Sequence, residues 1–182
     1  MQYVYNSSLS SALTINGQTV ASGPNAGKSI ETYVRIVVNG DITKPITVAK
    51  GVTAQIYFTG NLSLKGSDVV NNNVDGATGV VNYVDGTTWT NSTNYSRAGH
   101  LQLFGTGSTQ TVDISSPGAL YATIYAPNAD VTINGNADIY GAIVCHNYSG
   151  NGNTSFHYDK EAAQLFLSVT DYRIASYIED VR

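Results

Sequence analysis

The sequence predicts an all-β chain wound as a parallel β-helix, a β-solenoid with a long polar insertion and a C-terminal cap that contains a short helix. Three observations predict it. Strand-like alternation recurs in short pieces divided by Gly and Asn, while helical periodicity is almost absent. Several of these pieces resemble one another, as repeats do. Charged residues make up 12% of the chain, against a usual ~25%, and Gly, Asn, Ser and Thr take the place of Lys and Glu. That exchange removes helix formers and supplies strand and turn formers.

The 182 residues read as one domain, long enough to bury a core without disulfides or metals. Residues 1–30 hold one strand candidate, Ala12-Leu13-Thr14-Ile15, then a turn-rich run from Gly17 to Gly27; this is a lead-in segment or a cap. Strands are expected at 33–38, 46–48, 54–58 and 62–64. Residues 66–99 are polar, rich in Asn, Asp-Gly and Thr, and read as a long insertion. Strands resume at 101–104, 111–114, 122–125, 131–133 and 139–145. Residues 159–182 hold the densest charge and read as the cap, with a short helix over 159–167 and a closing strand over 172–178. A stack of strands must cover its ends, because an open end exposes strand edges.

The repeat is clearest between Ile124-Tyr125 and Ile139-Tyr140, which are 15 residues apart. Ile56-Tyr57-Phe58 and Leu103-Phe104-Gly105 are further copies. A fixed period of this size suggests successive turns of a solenoid, with Ile, Val, Leu and Ala inward and Gly and Asn at the corners.

Bulk properties exclude several functions. A net charge of −4 and a pI near 5.1 leave no basic stripe to displace counterions from phosphates, so no nucleic acid partner is expected. The apolar runs fall short of the ~18 residues of a membrane span. Met1 precedes Gln-Tyr-Val-Tyr with no charged leader, so an export signal or anchor is expected to have been removed. The single cysteine, Cys145, lies in an apolar run and reads as a buried structural thiol, in keeping with a bacterial or archaeal surface protein.

Candidate chemistry is thin. No nucleophile motif, phosphate loop or clustered carboxylates appear, so no catalytic residues and no cofactor are expected. His146 and His157, 11 residues apart, form with Asp159 the one weak metal candidate; its plainer reading is local hydrogen bonding and a helix cap. Asp75-Gly76 and Asp85-Gly86 recur ten residues apart without an EF-hand or β-roll motif, a weak calcium signal that turn formation explains equally well. Regular Thr-x-Thr rows suited to ice are missing. The insertion carries Trp89, Tyr83 and Tyr95, residues that suit sugar stacking or protein contact, or that fold back over the body. Six Asn-x-Ser/Thr sequons occur, at Asn6, Asn61, Asn91, Asn94, Asn147 and Asn153; chance explains most of them in so Asn-rich a chain, and they matter only where the source organism glycosylates.

The stretch Ile124-Tyr125-Ala126-Pro127-Asn128-Ala129 through Val144, followed by Phe156-His157-Tyr158-Asp159, resembles the C-terminal β-solenoid domain of PilX-type pilus-assembly proteins and related bacterial surface proteins. Those carry an iYAPnA…iyGaiv core and an fhYD close. Tyr33–Ile42, Leu101–Gly107 and Tyr172–Glu179 resemble other parts more loosely; the last has Tyr177-Ile178-Glu179 where the family often has Trp-Arg-Glu. The resemblance implies a solenoid fold and a place at the cell envelope, in pili, adhesion or display. No pilin-type helix stands in these residues. The sequence thus leads us to expect a non-enzymatic extracellular or cell-surface structural or adhesive module whose lateral and end surfaces mediate contacts with a protein or glycan surface partner, or its own assembly. The alternative expectation is a carbohydrate-binding module using the aromatics of the insertion.

Overall fold

A computed structural model describes residues 1–24, 26–27, 29–30, 32–49, 51–73, 81–82, 88–89, 98–115 and 118–159. The strands, in chain order, are β1 (Gln2–Tyr5), β2 (Leu13–Ile15), β3 (Gln18–Thr19), β4 (Ser29–Ile30), β5 (Thr32–Val38), β6 (Ile46–Val48), β7 (Val52–Phe58) and β8 (Leu62–Lys65). They continue as β9 (Val69–Asn71), β10 (Val81–Asn82), β11 (Thr88–Trp89), β12 (Leu101–Gly105), β13 (Gln110–Ser115), β14 (Gly118–Asn134), β15 (Ala137–Asn151) and β16 (Ser155–Tyr158). Among the described residues the helical elements are two 3-10 turns, Gly66–Asp68 and Ala98–His100. The expected helix after Asp159 and the closing strand over 172–178 lie outside the described residues.

The alternation in the sequence is realised directly. In β5 and β7 every second side chain is buried, and the residues between face outward. Pairing is parallel except in two short ribbons, β3–β4 and β10–β11. The main sheet runs β1-β5-β7-β12-β14-β13-β8, with β15 on β14 and β16 on β15. A second parallel sheet is β2-β6-β9. Parallel strands demand crossover connections. Here most are supplied by the chain passing through another row of strands before it returns.

The long strand β14 makes the main sheet curl. Thr123 to Tyr125 pair with β12 and Ala129 to Asn134 pair with β13, so one strand serves two rows. Between them Pro127 has no N–H to donate, and the pairing with β15 slips between Ala126 and Asp130. The result is a predominantly parallel sheet curled into a half-barrel around one core. Along its concave side Ile36, Ile56, Leu103, Ile124 and Ile143 are stacked in register. The first four are at most 1% exposed.

The 15-residue recurrence does not set this stacking. Ile124 lies beside Ile143, and Ile139 lies beside Leu120, a step of 19 residues. The corresponding steps are 20 from β5 to β7 and 21 from β12 to β14. Ile124-Tyr125 and Ile139-Tyr140 belong to different rows. Every row asks for the same inward–outward alternation, so local similarity recurs from row to row as well as from layer to layer.

Part of the segment read as an insertion belongs to the sheets. After the turn Gly66–Asp68, β9 pairs with β6 through Val69, Val70 and Asn71. Asn71 and Asn73 are buried, and these inward polar residues disguise the strand in the sequence. Asn73 works as a corner clamp. Its Oδ1 accepts from the Gly51 N–H at 2.7 Å, and its Nδ2 donates to the Val52 carbonyl at 3.1 Å and to Asn71 Oδ1 at 3.0 Å. Buried amide groups of this kind must be paired.

A second corner is held by a ladder of side chains. The Asp41 N–H donates to Ser8 Oγ at 2.8 Å. The Asn61 N–H donates to Asp41 Oδ1 at 2.7 Å, and the Thr111 N–H to Asn61 Oδ1 at 2.9 Å. Each rung satisfies a backbone amide of the next strand layer, the last of them Thr111 near the start of β13. Within β15 Gly141 has φ +153°, and a Cβ there would run into the Ala122 carbonyl oxygen.

Two substitutions probe this arrangement. Ile56→Ala should lower unfolding free energy by about 2–5 kcal/mol, as large-to-small changes in a packed core do. Gly141→Ala should cost about 1–3 kcal/mol from backbone strain alone, with the carbonyl clash added. Urea unfolding followed by circular dichroism measures both; a midpoint unchanged in either variant would contradict the packing described.

Candidate functional site

Register stacking acts on outward side chains as it does on inward ones. Val4, Val37, Tyr57, Phe104, Tyr125 and Val144 occupy one outward position in six neighbouring strands. Five strand spacings of ~4.8 Å make this row roughly 24 Å long. Val4 is 53% exposed, Tyr125 39% and Val144 40%. Val37, Tyr57 and Phe104 are half-buried against one another and their flanks. An unbroken apolar row on the outside of a sheet is the kind of surface that marks an interaction site.

The middle of the row is a stack of rings. Tyr57 and Phe104 lie 4.6 Å apart and 11° from parallel. Tyr125 follows at 6.3 Å, tilted by 52°. Arg35 closes the other side of Tyr57: its guanidinium carbon is 4.6 Å from the ring centroid, and Nη2 donates to the Tyr57 hydroxyl at 3.0 Å. Such contacts contribute about 0.5–1.5 kcal/mol each beyond area burial. They also cover both faces of Tyr57 and one of Phe104.

The two flanks differ. On one side the turn Ala98–His100 lies over the sheet. Gln102 donates to the Gly99 carbonyl at 2.9 Å, Thr123 to the Ala98 carbonyl at 3.3 Å, and Gln55 to Gln102 Oε1 at 3.0 Å. Gln102 and Thr123 are therefore buried although they face outward. Beyond the other flank the sheet curls into a hydrophilic wall. Its rows are Ser63, Asp113, Thr132 and Ser149, then Lys65, Ser115, Asn134 and Asn151. Asn151 donates to Asn134 Oδ1 at 2.9 Å.

The residues singled out from the sequence fall elsewhere. Trp89 is in β11, whose backbone pairs with Val81. Tyr83 and Tyr95, like Asp75 and Asp85, lie outside the described residues. His146 Nδ1 is 3.2 Å from Asp130 Oδ1, while His157 stacks on Tyr140 at 4.4 Å and approaches Asp138 at 3.8 Å. The Asp159 N–H donates to the Gly141 carbonyl. His146, His157 and Asp159 do not converge, and among the described residues no three His, Cys, Asp or Glu are placed to hold a metal. Cys145 is half-buried against the core. Burial, and then the charge of Asp130, push its thiol above the ordinary range, which disfavours the thiolate. No helix among the described residues is long and apolar enough to cross a membrane.

Sequence reasoning missed the outer row, although a signal was present. Ile36-Val37-Val38, Ile56-Tyr57-Phe58, Leu103-Phe104, Ile124-Tyr125-Ala126 and Ile143-Val144-Cys145 are apolar at consecutive positions. In a strand, one member of each such pair must face away from the core.

Fold and surface together define a predominantly parallel-β protein with an apolar row along its convex side. Residues 29–165 match a family described as Domain of unknown function (DUF7305), and the chain belongs to that family. No curated protein and no solved structure matches it. The resemblance to PilX-type pilus-assembly proteins therefore has no named relative behind it.

The edge of the hydrophilic wall yields a titration test. Asn147 Nδ2 donates to Asp130 Oδ1 at 2.7 Å, and this bond, followed by that of His146, holds the Asp130 carboxyl below its ordinary value. A depressed carboxyl favours the folded state above its unfolded pKa and loses that contribution as pH falls through the folded one. Asn147→Ala should raise the Asp130 pKa toward the ordinary value, read by NMR titration of the side-chain carboxyl. An unchanged titration would contradict the bond.

Proposed function

We propose that the rows of parallel strands are the walls of a β-solenoid, and that the domain is a non-enzymatic structural and adhesive module of the cell surface or extracellular space. The outer row from Val4 to Val144 is the observation that carries this reading. An apolar strip some five strand spacings long is suited to lie against another protein, where desolvating it is favourable. The low charge and dense hydrogen-bonded corners suit a rigid spacer that presents this strip. A place on a pilus rests on the sequence resemblance alone.

Sugar stacking is the less favoured use of the row. A sugar ring docks on a bare aromatic face, and Tyr57 has Arg35 on one face and Phe104 on the other. A carbohydrate-binding reading therefore falls back on Tyr125, the exposed and tilted ring of the row, and on Trp89, in the insertion.

The test compares retention of the purified domain on cell envelopes from its source organism with that of Tyr125→Ser/Val144→Ser. Tyr125 gives up its ring contact with Phe104, so the melting temperature should fall by a few degrees while the domain stays folded. Retention should fall by about tenfold or more, the effect of losing roughly 1.4 kcal/mol or more of contact. Retention unaffected by the double variant would contradict the adhesive reading. Glycan-array binding abolished by Trp89→Ala would replace it with the carbohydrate one.

A further inference from the structure

Where β14 turns the corner its pairing with β15 slips: Ala126 lies beside Cys145, but the next pair is Asp130 with Asn147. Pro127, Asn128 and Ala129 of β14 thus stand against one residue of β15, His146. Consecutive side chains of a regular strand point to opposite faces. Here the irregularity lets His146 and Asn147 reach the same carboxylate, which is how a bulge re-aims a side chain.

The result is a closed triangle of polar atoms. His146 Nδ1 is 3.2 Å from Asp130 Oδ1, Asn147 Nδ2 is 2.7 Å from the same oxygen, and Nδ2 and Nδ1 are 2.9 Å apart. No placement of protons satisfies all three contacts. The carboxylate oxygen only accepts, and the amide nitrogen only donates. An Nδ1–H aimed at Asp130 meets the amide hydrogens. A bare Nδ1 that accepts from the amide turns its lone pair toward the carboxylate. Turning the Asn147 amide over puts its Oδ1 where Nδ2 stands, and three lone-pair donors then converge. A cation among them resolves what a proton cannot.

The spacing fits such a cation. Ligand atoms ~2.1 Å from a metal and at right angles lie about 3.0 Å apart, against about 3.4 Å in a tetrahedron. The three distances bracket the first value. An imidazole beside two oxygens suits a divalent transition metal, whereas Mg²⁺ and Ca²⁺ take oxygen ligands. The side chains of His146 and Asp130 are 68% and 61% exposed, so an ion can reach them.

We propose that Asp130, His146 and Asn147 form a binding site for one divalent transition-metal ion. Oδ1 of Asp130, Nδ1 of His146 and the amide oxygen of Asn147 hold one side of the ion, and its other positions face outward. The site stands at the edge of the hydrophilic wall and does not rest on the apolar row or on the adhesive reading.

The experiment titrates Zn²⁺ by calorimetry into the untagged 182-residue chain with Cys145→Ser, which removes the native thiol as a competing ligand. One ion should bind per chain, and the ring nitrogens of His146 should shift in NMR spectra while those of His157 do not. Losing a group that merely orients a metal ligand costs about 10–100-fold in affinity. His146→Ala and Asp130→Ala should therefore each weaken binding by about tenfold or more. Asn147→Asp offers an oxygen in either orientation and should bind at least as tightly as the parent, whereas Asn147→Ala should bind more weakly. Excess Mg²⁺ should leave the bound Zn²⁺ in place. All three side chains are exposed, so the variants should keep the parent's circular dichroism. No binding by the parent up to millimolar Zn²⁺, binding indifferent to His146→Ala, displacement by Mg²⁺, or Asn147→Asp as weak as Asn147→Ala would each overturn the proposal.

Discussion

Parallel pairing at ~4.8 Å gives each side chain two neighbours it cannot avoid, the residues at the same position in the strands on either side. The rest of the structure follows from what can tolerate that proximity. Inward rows are filled by Ile, Leu and Val, or by members of complementary size. Phe58 is fully buried beside Gly105, where an added Cβ would come within 3.3 Å of its ring and 2.7 Å of the Ala126 methyl. Like charges stacked along a row would repel, which is consistent with a charged fraction of only 12%. Arg35 meets Gln55 in its own row and lays its guanidinium over Tyr57 instead of over a second cation.

The same proximity decides the corners. A turn amide left unpaired is costly when the chain must bend at every layer. Ser8, Asp41 and Asn61 answer this by offering a side-chain oxygen to the next layer. Asn and Ser are thus used where a helical protein would place Lys and Glu, and the unusual composition is a consequence of the fold.

Much of this was legible in the sequence, because alternation is a local property. The strands at 33–38, 54–58, 101–104 and 111–114 follow from it directly. The register was not legible. Ile124-Tyr125 and Ile139-Tyr140 look alike because both rows impose one pattern, and only the path of the chain decides that Ile124 meets Ile143. Strand β9 was hidden because its buried face carries Asn71 in place of a hydrophobe. The outer row was hidden for a related reason. In the sequence Tyr57, Phe104 and Tyr125 stand simply as strand formers, and their shared face exists only once the strands are stacked. Of the aromatics that did stand out, Tyr83 and Tyr95 lie outside the described residues.

The central claim is that one outward position recurs through the stacked strands as a continuous row. It is tested most directly by double electron–electron resonance between spin labels at Val37 and Val144, in protein with Cys145→Ser. Four strand spacings separate these positions, so the backbone distance should be about 19 Å, and a single narrow distribution at that length, within the reach of the labels, is the predicted result. A broad distribution, or one centred well beyond that distance, would contradict the stack and the surface built on it.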